Sequence, residues 1–316
     1  MEEPAAQFPP NHLLAPSGLH ITFKGGRMSK CQVGFFTLRK MSLLLCLISF
    51  SPQSLASGMF AHSIMGKFAV ARLKSFKHKM FLKLNYTAYQ NGVIYPDVGY
   101  QSKLKVDWGE WNHFATFLNA YMRHIRNRCA GNMGSLHCHK MLAHYMGSFT
   151  HSVSDFNFDH YFVTAVAKHT FGGDMTKAQT YTDSHMDVIV LTEHRFHIMP
   201  LRPWAPYADL FEVYKSRNKP VPYEEIKRCV NSWVLTREAF TSMAGIVAHP
   251  LKFESPWAAK NYMTAKGGVY DTAKVVAGFL DQMWKILEEE SFFKYYPKVR
   301  YTGHWPRVSI EVLKAG

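Results

Sequence analysis

The run Ala143-His144-Tyr145-Met146-Gly147-Ser148-Phe149-Thr150-His151-Ser152-Val153-Ser154-Asp155-Phe156-Asn157-Phe158-Asp159-His160 decides how this chain is read. His151 and Asp155 are four residues apart, which on a helix stacks them on one face. Leu142, Tyr145, Met146, Phe149 and Val153 flank the pair, so imidazole and carboxylate would point toward a core. Polar groups on a buried face are costly when unpaired, and a bound cation compensates them. The pair is therefore half of a metal site, and His160 follows a short step later. The competing reading is a surface His–Asp pair on a solvated helix face, and the rest of the chain chooses between the two.

The chain has 316 residues, 47% of them hydrophobic and 19% charged, enough for a sizeable core in one large domain or two small ones. No segment reaches the roughly 18 apolar residues that a membrane span needs. Seventeen histidines weigh toward a metal protein. The net charge of +14 favours encounter with anionic surfaces, which leaves phospholipid, phosphorylated glycan and nucleic acid open as partners.

Residues 1–56 look like processing sequence. Residues 1–27 are Pro-rich and unpatterned; from Met28 the chain is basic (Lys30, Arg39, Lys40), then apolar (Leu43 to Phe50), then Ser54-Leu55-Ala56. That order is a secretory signal, and cleavage after Ala56 makes Ser57 the mature N-terminus and the protein secreted or lumenal. Beyond it, Cys129, Cys138 and Cys229 allow at most one disulfide, with Cys129–Cys138 across the Gly131–Gly134 loop the candidate. Asn85-Tyr86-Thr87 is a glycosylation sequon.

Hydrophobic periodicity predicts helices over 60–78, 110–128, 137–153, 158–169, 175–196, 207–218, 222–248 and 257–290, with a break near Asp155-Phe156-Asn157. Gly92, Pro96 and Gly99 predict a loop from Gln90 to Tyr100. Ser255-Pro256 reads as a helix start. Strand alternation is confined to Arg307–Leu313. The expected organisation is an all-α multi-helix domain over 57–290 and a tail over 291–316 in which aromatic rings alternate with cations. Such a tail suits a lipid headgroup surface or a strap packed across the helices.

Other candidate ligands are His62, Asp97 after Pro96, His113 in Glu110-Trp111-Asn112-His113, and His185 in Thr182-Asp183-Ser184-His185-Met186-Asp187. They fall near element ends, at spacings that let several helices aim them at one point. With Ala88 to Asp97, Phe117-Leu118-Asn119-Ala120, Gly147 to His160 and Gly267-Gly268-Val269-Tyr270-Asp271, the pattern resembles the zinc-dependent phospholipase C and P1-type nuclease superfamily. Within it, residues 57–290 resemble the catalytic domain of glycosylphosphatidylinositol-specific phospholipase D.

That resemblance implies an all-helical domain with two or three zinc ions. Asp97, His113, His151 and Asp155 would hold one ion. The Ser57 amino nitrogen and carbonyl oxygen, His62 and a bridging Asp155 would hold a second, and His160 and His185 a third. It implies zinc-activated water attacking phosphorus, with Asp97 as the orienting base. The substrate would be a phospholipid at a membrane surface, a glycosylphosphatidylinositol anchor in particular, cut in the phospholipase D or C sense. The alternatives are a single-strand nuclease of the same fold and a catalytically degenerate zinc- or lipid-binding homologue. Two departures bear on the third ion. The family places a carboxylate four residues after the His that matches His185, where this chain has Ile189, with Asp183 or Asp187 as nearby substitutes. The Asp155–His160 spacing is also one residue longer than in that relative.

Overall fold

The computed structural model describes residues 58–104, 108–194 and 203–289, and among them every regular element is helical. None of these helices is long and apolar enough to cross a membrane. Residues 1–56, Ser57 and the tail from residue 291, with the strand expected at Arg307–Leu313, lie outside the described residues.

α1 (Met59–Arg72) and α2 (Phe76–Leu84) divide the single helix expected over 60–78. Ser75 interrupts it by accepting the His78 N–H at 3.4 Å, a local N-cap that starts a new helix. α3 (Tyr86–Val98) occupies the stretch predicted as a loop. Pro96 lacks the N–H that would bond the Gly92 carbonyl, and Ser148 Oγ, 3.3 Å away on another helix, donates there instead. A short 3₁₀ turn (Gly99–Gln101) leads on to α4 (Trp108–Asn112), α5 (Ala115–Cys129) and α6 (Leu136–Asn157). The Cys129–Cys138 disulfide joins α5 to α6, and Cys229 is a buried free thiol.

α6 does not break near Asp155. It widens to π geometry over Phe158–Val163 and continues as α7 (Thr164–Thr170), ending at Gly172-Gly173. α8 (Met175–Thr180) passes through a second π segment (Tyr181–Met186) into α9 (Asp187–His194). α10 (Tyr207–Lys215) and α11 (Tyr223–Glu254) follow, α11 running through Pro250. α12 (Pro256–Asn261) starts at Ser255-Pro256 as expected, with the Ser255 side chain accepting from Ala258 N. α13 (Val269–Glu289) then lies against α1 and α6.

The centre of the packing is the crossing of α3 over α6. A Cβ on Gly92 would sit 2.0 Å from the His144 carbonyl oxygen, and one on Gly147 2.1 Å from that of Tyr89. The two backbones touch, and only glycine fits on either side. Around this contact Tyr95, Tyr214 and Asn112 form a buried chain (Tyr95 Oη to Tyr214 Oη 2.9 Å, Tyr214 Oη to Asn112 Oδ1 2.9 Å) that ties α3, α10 and α4 together.

Gly92→Ala and Gly147→Ala are each expected to destabilise the protein by about 3 kcal/mol, because backbone rather than a mobile side chain must yield. Gly278→Ala, on α13 with nothing within 4 Å of its would-be Cβ, is expected to stabilise by about 0.5–1 kcal/mol. Thermal or urea unfolding of the three variants checks the contrast.

Candidate metal centre

Five of the expected ligands converge where the N-terminus of α1, the C-terminus of α3 and the C-terminal half of α6 meet. Ligand atoms of Asp97, His113 and His151 lie within 4.8 Å of one another, and so do those of His62, His151 and Asp155. His151 Nε2 stands 3.0 Å from His113 Nε2, and Asp97 Oδ1 is 3.2 Å from His113 Nε2 and 3.6 Å from His151 Nε2. His62 Nε2 is 3.6 Å from Asp155 Oδ1, with its ring 4.1 Å from that of His151.

The orientation of each ring follows from what its other nitrogen does. His151 Nδ1 donates to the Val93 carbonyl at 2.7 Å, and His113 Nδ1 to that of Gly109 at 2.9 Å. Each ring therefore presents a bare Nε2 lone pair to the other. Ser154 Oγ donates to the His151 carbonyl at 2.9 Å, so its oxygen accepts from His62 Nδ1 at 2.8 Å. His62 Nε2 is thus left as an acceptor too. Three nitrogen lone pairs and two carboxylates meet with no donor of their own between them, and Asp97 Oδ2 is buried without a hydrogen-bond partner. A proton or a cation must sit there.

The residues fit zinc. Metal–ligand bonds of about 2.0–2.2 Å in tetrahedral geometry separate neighbouring ligand atoms by about 3.3 Å, the scale of the distances found. One imidazole lone pair serves one ion, so His151 belongs to a single set. Asp155, with two oxygens, faces His62 on the side away from the Asp97 set.

Two close approaches hold these groups. A Cβ on Gly99 would lie 2.3 Å from the Gly109 Cα, so α4 presses on the 3₁₀ turn and presents the Gly109 carbonyl to His113. At the start of α1, the Asp187 carboxylate accepts from Phe60 N (2.9 Å) and Ala61 N (2.8 Å), and Gly58 N donates to the Asp183 carbonyl at 2.8 Å.

The remaining expected ligands are not brought into these two sets. Asp187 caps α1, and its oxygens are taken by backbone N–H groups. His160 is exposed, its ring parallel to that of Phe156 at 6.0 Å. His185 Nδ1 pairs with Glu254 Oε2 at 2.6 Å. Ile189 is buried in the core. Ser57 lies outside the described residues, next to Gly58. Asn85, the sequon asparagine, is buried, with Nδ2 donating to the Phe81 carbonyl at 3.0 Å.

Near Asp155 instead stand Asp159 and Asp183, bridged by Gln179 Nε2 (3.2 Å to Asp159 Oδ1, 3.0 Å to Asp183 Oδ2). Asp159 lies outside the expected ligand set, although His151, Asp155 and Asp159 repeat a four-residue step on one helix face. Burial, then the Asp155 charge, pushes Asp159 up to about 7, and burial with the Asp159 charge raises Asp183 well above the usual range.

Electrostatics in the core of the site follow the same geometry. Burial opposes a charged His113, but the hydrogen bond and charge of Asp97 outweigh it and lift its pKa to about 9. Burial and the neighbouring imidazoles hold His151 well below its ordinary value. Burial raises Asp97 against the pull of His113.

The sequence profile of the family described as zinc dependent phospholipase C matches residues 61–239. The chain is 25% identical over 186 residues to phosphatidylinositol-glycan-specific phospholipase D of Homo sapiens, covering 55% of this chain and 22% of that protein. No solved structure matches the chain significantly.

Without metal, His113 contributes stability that is fully present below pH 6.5 and lost as pH rises through about 9, because its folded-state pKa is raised. Zinc must displace that proton. Binding at pH 7 is expected to release about one proton from His113, with affinity rising about tenfold per pH unit up to about 9. Calorimetry in buffers of different ionisation enthalpy measures this, and pH-independent binding would contradict it. Elemental analysis is expected to find metal lost from His151→Ala and unchanged in His160→Ala and His185→Ala.

Proposed function

The chain belongs to the zinc-dependent phospholipase C family of phospholipid-hydrolysing enzymes, and from that premise we propose that it is a secreted phosphodiesterase that cuts a glycosylphosphatidylinositol anchor. The observation that carries the reading is the meeting of His113 Nε2 and His151 Nε2 at 3.0 Å against the buried carboxylate of Asp97, a donor-free cluster made for a cation. The similarity to human phosphatidylinositol-glycan-specific phospholipase D supports the inositol-glycan substrate.

Zinc, when bound by these residues, supplies the Lewis acidity for phosphoester hydrolysis. The chain's own groups do the positioning. Asp97 Oδ1 faces His113 and His151, so Oδ2, with no hydrogen-bond partner, is the oxygen available to take a proton from an attacking water. Water adds to phosphorus, the bond from phosphorus to the leaving oxygen breaks, and the alcohol departs with a proton. Asp155, with His62 and Ser154 behind it, holds the second half of the site; cleavage after Ala56 would make Ser57 the N-terminal residue, directly before Gly58. A Cβ on Gly58 would lie 3.4 Å from the His62 ring. The signal-like pattern of residues 28–56 and the Cys129–Cys138 disulfide support export, because disulfides persist in oxidising compartments.

A second reading, a zinc- or lipid-binding homologue without turnover, is favoured by the engagement of His185 with Glu254 and the exposure of His160. Purified protein on a lipid-anchored reporter separates the two. Zinc-dependent release, abolished by chelator and restored by added zinc, is the expected outcome, and the lipid released identifies the bond that breaks. Stoichiometric zinc without release would leave the binding reading standing.

A further inference from the structure

α2 carries an apolar strip on its solvent side. Phe76, Met80 and Leu84 follow one another at four-residue steps and so lie in line along the helix. Phe76 is 76% and Leu84 79% exposed, with Met80 half-buried between them. Lys77 borders the strip on one flank, and Lys83 and Lys79 on the other. The opposite face is firmly seated. Leu82 is buried, His78 stacks on Trp284 at 4.6 Å, and His78 Nε2 and Lys77 Nζ both reach Glu288 Oε1, at 2.9 and 3.1 Å. The strip therefore belongs to a helix docked in register. Exposed apolar rows rimmed by polar residues mark interaction surfaces.

The charge around it selects the partner. Residues 58–96 contain six Lys or Arg and no Asp or Glu. The acidic side chains facing α2 come from α13: Glu288, and Asp281, which accepts from Lys74 N at 3.3 Å. Residues 290–316 follow α13 in the sequence and lie outside the described residues. They carry five Lys or Arg against two Asp or Glu, so they cannot neutralise the lysines.

We propose that the outer face of α2 docks on an anionic phospholipid bilayer, with Phe76, Met80 and Leu84 entering the interface and Lys79 and Lys83 meeting headgroup phosphates. From His62, α1 runs ten residues, about 15 Å at 1.5 Å each, to Arg72 before the chain turns into α2. The face is a tether separate from the metal centre, and its binding does not need turnover.

The test uses the full chain stripped of zinc, sedimented with vesicles of phosphatidylcholine containing one-third phosphatidylserine and with phosphatidylcholine alone. Binding to the anionic vesicles only, weakened by salt, is expected. Phe76→Ser with Leu84→Ser, and separately Lys79→Glu with Lys83→Glu, should each lower the partition about tenfold or more with unchanged melting. Wild-type partition in both double variants, or no binding at all, overturns the proposal. So does protection of Phe76 from hydroxyl radicals in lipid-free protein, which would mean that residues 290–316 or a second copy cover the strip.

Discussion

Gly92 and Gly147 let two helix backbones touch, and the metal centre hangs on that contact. Val93 is the residue after Gly92, and its carbonyl fixes the His151 ring, one turn along α6 from Gly147. Asp97 is one turn beyond Val93 on α3 and meets the same ring from the other side. A side chain at either glycine would push the helices apart by more than a hydrogen bond tolerates, and carbonyl, imidazole and carboxylate would separate together. Pro96 fits this arrangement because its missing donor is replaced by Ser148 of α6. The crossing therefore repairs the backbone of α3 as well as presenting its ligand.

Around that contact the protein spends its oxygen acceptors on the wrong side of each histidine, seen from the standpoint of stability alone. Val93, Gly109 and Ser154 take the Nδ1 hydrogens and leave Nε2 lone pairs facing one another and two carboxylates. Bringing those groups out of water without a cation is unfavourable, and the Asp97 charge and hydrogen bond lift the His113 pKa to about 9. The same arrangement turns ion binding into folding stability, since the unfolded chain has no such site. His160 and His185 show the opposite behaviour. One lies in solvent beside a phenyl ring and the other is paired with Glu254, and neither leaves a buried acceptor wanting a cation.

The anchoring of α1 links the centre to the start of the described chain. Asp187 accepts the first N–H groups of α1 and so uses the favourable end of the helix dipole, which places His62 on the first turn. From there α1 runs away from the centre to α2, whose lysines and exposed apolar side chains form a second, chemically distinct surface. His62 and the apolar strip with its lysines thus lie on successive helices, α1 and α2.

Much was legible from local pattern. The four-residue step from His151 to Asp155, the all-helical class, the Ser255-Pro256 start and the Cys129–Cys138 pairing all depend on short spacings, and short spacings are what a sequence displays. Errors arose where local and long-range terms disagree. Gly92 and Pro96 are poor helix residues alone, so 90–100 read as a loop; burial against α6 overrides them. A break expected after Asp155 would have let His160 turn back, but the helix continues. Through the π segment that follows, Asp159 stays near Asp155 and Asp183 while His160 is carried out to solvent. The composition and spacing of the chain thus determined its helices and the residue types able to bind zinc. Which of those residues share a site was decided by the tertiary structure, because convergence depends on how closely α3 and α6 approach and on which carbonyl claims each imidazole, and both are contacts between distant parts of the chain.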